Sequence, residues 1–145
     1  MIRAISAATI LALGLTAAAA QQDPIAARRT LMKANGAATA AASKMVKGEV
    51  PFDLAKAREA LQTYADAAAK MHTYFPENSK TGGDTIASPK IWENQADFRS
   101  RFENWGKEIE KAKAETKDLE SFKTEFATVT KACTSCHQTY RLNRT

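Results

Sequence analysis

The sequence predicts an all-α protein, an antiparallel up-down-up-down four-helix bundle. Four segments repeat apolar residues at alternating spacings of three and four, the period of helices that bury one face against their neighbours. Glycine, proline and capping residues fall between those segments, where a helix must end and the next begin. No stretch alternates apolar and polar residues with the period of two that a half-buried strand requires.

The first helix is expected over residues 24–46. Asp23 can cap the first free backbone N–H groups, and Pro24 suits the first helical position because it has no hydrogen bond to lose there. Leu31, Ala34, Ala38, Ala41 and Met45 make one stripe, flanked by Ile25, Met32, Thr39 and Val46; the small residues let neighbouring helices approach closely. Gly48 and Pro51 break the chain, and Asp53 caps the second helix, whose inward line is Leu54, Ala57, Leu61, Tyr64, Ala68 and Met71.

Thr73 to Pro89 is the longest connection, rich in glycine, proline and polar residues. Its length is uncommon inside a compact domain, so it is expected to fold over an edge of the bundle. Ser88-Pro89 reads as the start of the third helix, which carries Ile91, Phe98, Phe102, Trp105, Ile109 and Ala112. Lys117-Asp118 supplies a short last turn. In the fourth helix Leu119, Phe122, Phe126, Val129, Cys133, Cys136 and Tyr140 follow the seam without a break.

Residues 1–20 read as a cleaved signal peptide, with Arg3 at its positive start, an apolar run from Ile5 to Ala17, and the small residues Ala18-Ala19-Ala20 before Gln21. The run is shorter than the roughly 20 residues that span a bilayer, and no other stretch is long enough. The expected organisation is one domain over 21–145, exported to the periplasm, without stable membrane insertion.

The formal charge is +5, and Arg3 leaves with the signal. The remaining positive charges are spread along the chain, whereas a nucleic-acid binder concentrates them in an arm or patch, so no nucleic-acid partner is expected. A modest positive surface steers docking towards an acidic redox partner, or is simply a solvated face.

Cys133-Thr134-Ser135-Cys136-His137 is the attachment signature of c-type haem. Two thiols one helical turn apart can each form a thioether with a haem vinyl group, and the adjacent imidazole of His137 turns onto the iron as proximal ligand. The expected cofactor is therefore one covalently attached haem c per chain. A redox dithiol belongs beside a βαβ pattern that this sequence lacks, and cysteines three apart on a helix are poorly placed for a mutual disulfide. A zinc site would need Cys133, Cys136, His137 and His72 together, the full set of cysteines and histidines in the chain.

The sixth position on the iron decides the function, because a second protein ligand gives a closed electron-transfer site and an open position binds small molecules. In an antiparallel bundle the end of helix four lies level with the start of helix one and the end of helix two. Spacing leaves Met32, Met71 and His72 open, with Met71 on the core seam and His72 beside a loop. Met45 lies at the wrong end of helix one and reads as core.

These residues resemble the class II cytochromes c, the cytochrome c' family, over nearly all of the mature chain. The resemblance rests on Gln21-Gln22-Asp23, on Leu31-Met32-Lys33-Ala34-Asn35-Gly36, on Lys47 to Asp53, on Ser88-Pro89-Lys90-Ile91-Trp92 and on Ala132 to His137. The last block is the specific one. The family has a five-coordinate, high-spin branch that binds nitric oxide or carbon monoxide, and a low-spin branch with methionine as second axial ligand. Leu31-Met32-Lys33 looks like the second, so the resemblance implies His137 and Met32 as axial ligands and a soluble single-electron carrier, with the gas-binding protein as alternative.

The same resemblance implies that Arg28, one turn before Met32, belongs to the haem environment, since an arginine near this position contacts a propionate in the high-spin branch. Arg141 matches a basic position common after the motif, although a cation at a helix C-terminus also answers the helix dipole. An electron carrier rather than an enzyme is expected, because haem peroxidases use polar distal groups and the sequence assigns none here. The alanines of helix one serve either a homodimer or the interior of a monomer.

Overall fold

The computed structural model describes residues 23–143, so the signal-peptide expectation at 1–20 lies outside the described residues. Four long helices carry the fold: α1 (Pro24–Val46), α2 (Leu54–Lys70), α4 (Gln95–Glu115) and α5 (Leu119–Tyr140), with a single-turn helix α3 (Lys90–Glu93) between α2 and α4. Contacts run from α1 to α2, α2 to α4, α4 to α5 and α5 back to α1, so each long helix lies beside its neighbours in sequence. Together with the short turns at 47–53 and 116–118, that ring is the up-down-up-down bundle.

The helix starts follow the capping residues. Asp23 accepts a hydrogen bond from the Ile25 N–H at 2.9 Å, and Asp53 accepts one from the Lys56 N–H at 3.1 Å. Asp118 and Ser121 satisfy each other's free N–H groups at the start of α5. Gly48, with φ of 73°, turns the chain out of α1 in a conformation that favours glycine, and the Glu49 N–H returns to the Lys44 carbonyl. The third segment departs from expectation. Ser88-Pro89 starts only the one turn of α3, after which Asn94 breaks the helix and caps α4 through the Asp97 N–H at 3.2 Å.

The seams expected for α2, α4 and α5 are inward. Leu61, Tyr64, Ile109, Phe122 and Val129 are essentially inaccessible. Trp105 donates its indole N–H to the Val129 carbonyl at 3.0 Å, tying α4 to α5. Helix α1 differs from its expected stripe: Met45 is buried as expected, but Ala34 and Ala41 are exposed, and the buried line also includes Arg28, Asn35 and Ala42. Alanine discriminates weakly between core and solvent, and two polar residues interrupt the apolar pattern on the inward side.

The long connection does fold over the bundle end. Arg28, 6% exposed, holds it by donating to the Tyr74 carbonyl at 3.1 Å, the Ser79 hydroxyl at 3.0 Å, the Ser79 carbonyl at 2.9 Å and the Thr85 hydroxyl at 2.6 Å. Its guanidinium lies 4.7 Å from the Phe75 ring centroid. The far side of the connection pairs with the tail after α5: Ser88 N–H donates to the Tyr140 carbonyl and Leu142 N–H to the Ile86 carbonyl, flanking a bridge between Ala87 and Arg141. Among the described residues no helix is long and apolar enough to cross a membrane.

Candidate haem site

A cavity of about 750 Å³ opens at the end of the bundle where α1 and α4 begin and α2 and α5 end. Its lining includes Cys133, Cys136 and His137 from α5, Met32 and Arg28 from α1, Met71 from the turn just after α2, and Arg141 from the tail. The side chains singled out in the sequence are thus gathered around one space, apart from His72. That ring faces Phe102 instead, at 6.4 Å between centroids, and its Nδ1 is buried without a partner among the described residues. Of the three candidates for the sixth position, Met71 is a fully buried core residue and Met32 is half-buried on α1.

The attachment motif occupies the last two turns of α5, which is helical throughout, so Cys133 and Cys136 lie one turn apart on the same face. Both are half-buried and neither is in a disulfide. Burial pushes both thiols above the usual cysteine range. It holds the His137 imidazole below the usual histidine range, and the positive charge of Arg141 adds to that shift. A neutral imidazole is the form that ligates a metal. Among the described residues no three His, Cys, Asp or Glu side chains converge as metal ligands, so the zinc set does not assemble.

The space suits a flat, largely apolar cofactor with anionic edges. Its volume falls within the roughly 300–1,000 Å³ typical of cofactor and ligand pockets. Phe75, Ile91, Phe98 and Trp105 give it apolar walls, while Gly36 leaves one wall open: a Cβ there would meet nothing within 4 Å. The lining holds four arginines (28, 29, 101 and 141) and two carboxylates, Asp84 and Glu108, an imbalance that favours propionates. Arg29 is paired with Asp84 at 2.8 Å, and Arg101 donates to Asp97 at 2.8 Å, so both are already anchored.

The family profile described as Cytochrome C' matches residues 23–141. The chain is 38% identical over 143 residues to a cytochrome c' of Rhodopseudomonas palustris, covering 99% of this chain and 98% of that one. The chain belongs to the cytochrome c' family. A cytochrome c-556 of the same organism is 32% identical, with 97% of each chain covered. The solved structure of R. palustris cytochrome c' superposes with a TM-score of 0.82 at 39% identity, covering 86% of this chain and all of the other. Haem c, covalently bound, is the cofactor of these cytochromes, and the spacing of Cys133, Cys136 and His137 suits it.

Two features were not read from the sequence. Arg28, expected in the haem environment, lines the cavity, but the sequence did not show that both terminal nitrogens of its guanidinium are engaged by the long connection. Asn35 also lines the cavity, backed by Thr39 and Tyr64. A polar residue four after Leu31 and three before Ala38 falls on their shared helix face, which was the available signal.

Proposed function

We propose that this member of the cytochrome c' family is a periplasmic carrier of single electrons, with Cys133 and Cys136 as haem attachment points, His137 as proximal ligand and Met32 as distal ligand. The observation that supports it is half-buried Met32 lining the same cavity as His137, from the neighbouring helix α1. When bound, haem c supplies a one-electron Fe(III)/Fe(II) couple. The chain's own residues determine the rest. A neutral His137 and a neutral thioether suit both oxidation states, so little has to rearrange as the electron arrives or leaves. The apolar walls exclude water, and thioether ligation raises the potential. Arg141, exposed at the cavity mouth, contributes positive charge that favours an acidic redox partner.

Gas binding is the second reading, supported by the greater identity to the R. palustris cytochrome c' than to its cytochrome c-556. In that reading Met32 only packs against the cavity wall. Carbon monoxide added to the reduced holoprotein separates the two. The electron-carrier reading expects an unchanged spectrum, because Met32 holds the position; rapid, stoichiometric binding would sink it and leave the gas-binding reading.

A further inference from the structure

Asn35 is 9% exposed, and its side-chain Oδ1 is buried with no hydrogen-bond donor among the described residues. An unmet buried acceptor is costly. Nearby donors cannot serve it. Thr39 has one hydroxyl proton, and it goes to the Asn35 backbone carbonyl at 2.8 Å. The 2.8 Å contact between Thr39 and Tyr64 therefore takes its proton from the tyrosine. Both hydroxyl protons behind Asn35 are committed elsewhere, so no hydroxyl there holds its carboxamide in one orientation. The amide Nδ2 of Asn35 also makes no hydrogen bond among the described residues but, unlike Oδ1, is not shut away from open space, and Asn35 lies on the cavity lining one helical turn after Met32.

We propose that Asn35 is the hydrogen-bonding partner of the distal ligand, its carboxamide donating to the Met32 sulfur and so setting how strongly that sulfur is donated to iron. The inference rests on the His137/Met32 reading. Asn35 lines the same cavity as Met32, three residues further along α1, and brings uncharged donors to it. A donor on the sulfur withdraws electron density from it and favours the reduced state, as outer-shell hydrogen bonds do at metal sites. Asn35 acts through Met32 and is a positioning residue.

The test measures the midpoint potential and the far-red methionine-to-iron band of the holoprotein in the parent, Asn35→Leu, Asn35→Ala and Met32→Ala. One hydrogen bond is worth about 0.5–1.5 kcal/mol, so both Asn35 variants are expected to lower the potential, raising the Fe(III)/Fe(II) ratio at fixed ambient potential roughly twofold to tenfold. The band should persist at a shifted energy in both Asn35 variants. An unchanged potential and band in both Asn35 variants, with the band lost in Met32→Ala, overturns the role of Asn35 alone. Absence of the band from the parent overturns the His137/Met32 reading and this inference with it.

Discussion

Arg28→Met removes the group that fastens the 71–89 connection to α1 while keeping a side chain of similar reach. The parent makes four hydrogen bonds from one buried cation, to two carbonyls and two hydroxyls. Bonds to charged groups contribute about 1.5–3 kcal/mol each. Burial of the guanidinium, which also holds its pKa below the usual arginine range, offsets much of that sum. Losing the cation leaves the Ser79 and Tyr74 carbonyls short of donors, so the net destabilisation should be about 3–4 kcal/mol. At roughly 4 °C per kcal/mol for a domain of this size, the Tm of the holoprotein should fall by about 12–16 °C.

Thermal unfolding followed by far-UV circular dichroism gives the shift, and limited proteolysis shows whether cleavage concentrates between Pro76 and Asp84. Arg28→Lys should recover only a small part of the loss, since an ammonium cannot reproduce the planar fork that serves both sides of the loop. A Tm within a few degrees of the parent in Arg28→Met, or full recovery in Arg28→Lys, would refute the clamp. The same variant separates the clamp from the propionate contact implied by the family resemblance: the clamp predicts a large stability loss with a small change in potential, and a propionate ligand predicts the converse.

Three further outcomes follow from the packing and the charges. Ile109→Ala, at a position with no exposure, should cost about 2–5 kcal/mol in denaturant unfolding, because its neighbours on α2 and α5 cannot fully collapse into the space. Hydrogen bonds from Tyr140 and then Arg101 hold the Asp97 carboxyl below its usual range, and those from Ser121 do the same for Asp118. Both groups bind protons less tightly folded than unfolded, so their stabilisation is present above about pH 4 and is lost as the pH falls further; Asp97→Asn should flatten the acid limb of the stability–pH curve. Burial pushes Tyr64 and Tyr140 up to about 12. Their folded states hold the proton more tightly, so stability is retained below about pH 10 and lost as the pH rises towards 12; tyrosinate absorbance should therefore rise together with loss of helical signal.

The parts of the fold written in large apolar residues were legible. Phe98, Phe102, Trp105 and Ile109, or Phe122, Phe126 and Val129, leave one choice of inward face, and the structure takes it. Helix α1 was harder, because a stripe of alanines is nearly as content in water as in the core, while its inward line carries Arg28 and Asn35. Those two polar residues are inward for reasons that lie far along the chain: Arg28 meets Ser79 and Thr85 on the long connection, and Asn35 faces the cavity. The break at Asn94 was missed because the apolar spacing from Ile91 to Phe98 continues across it.

The candidate site divides the same way. The Cys133-x-x-Cys136-His137 block is local, so its geometry follows from one helical turn. Which side chain faces it across the cavity depends on tertiary packing. Spacing left Met32, Met71 and His72 open; the family resemblance favoured Met32, and of the other two one is in the core and one lies outside the cavity lining. The bridge between Ala87 and Arg141, which draws the tail beside the cavity mouth, had no pattern in the sequence because a single pair of extended residues is too short to show one.

The ligand set is tested most directly by the absorption spectrum of the oxidised holoprotein, recorded for the parent and for Met32→Ala. Ligation by His137 and Met32 predicts a low-spin spectrum with a weak far-red methionine-to-iron band in the parent, replaced by a high-spin spectrum without that band in the variant. A high-spin parent, or a far-red band that survives Met32→Ala, would contradict it.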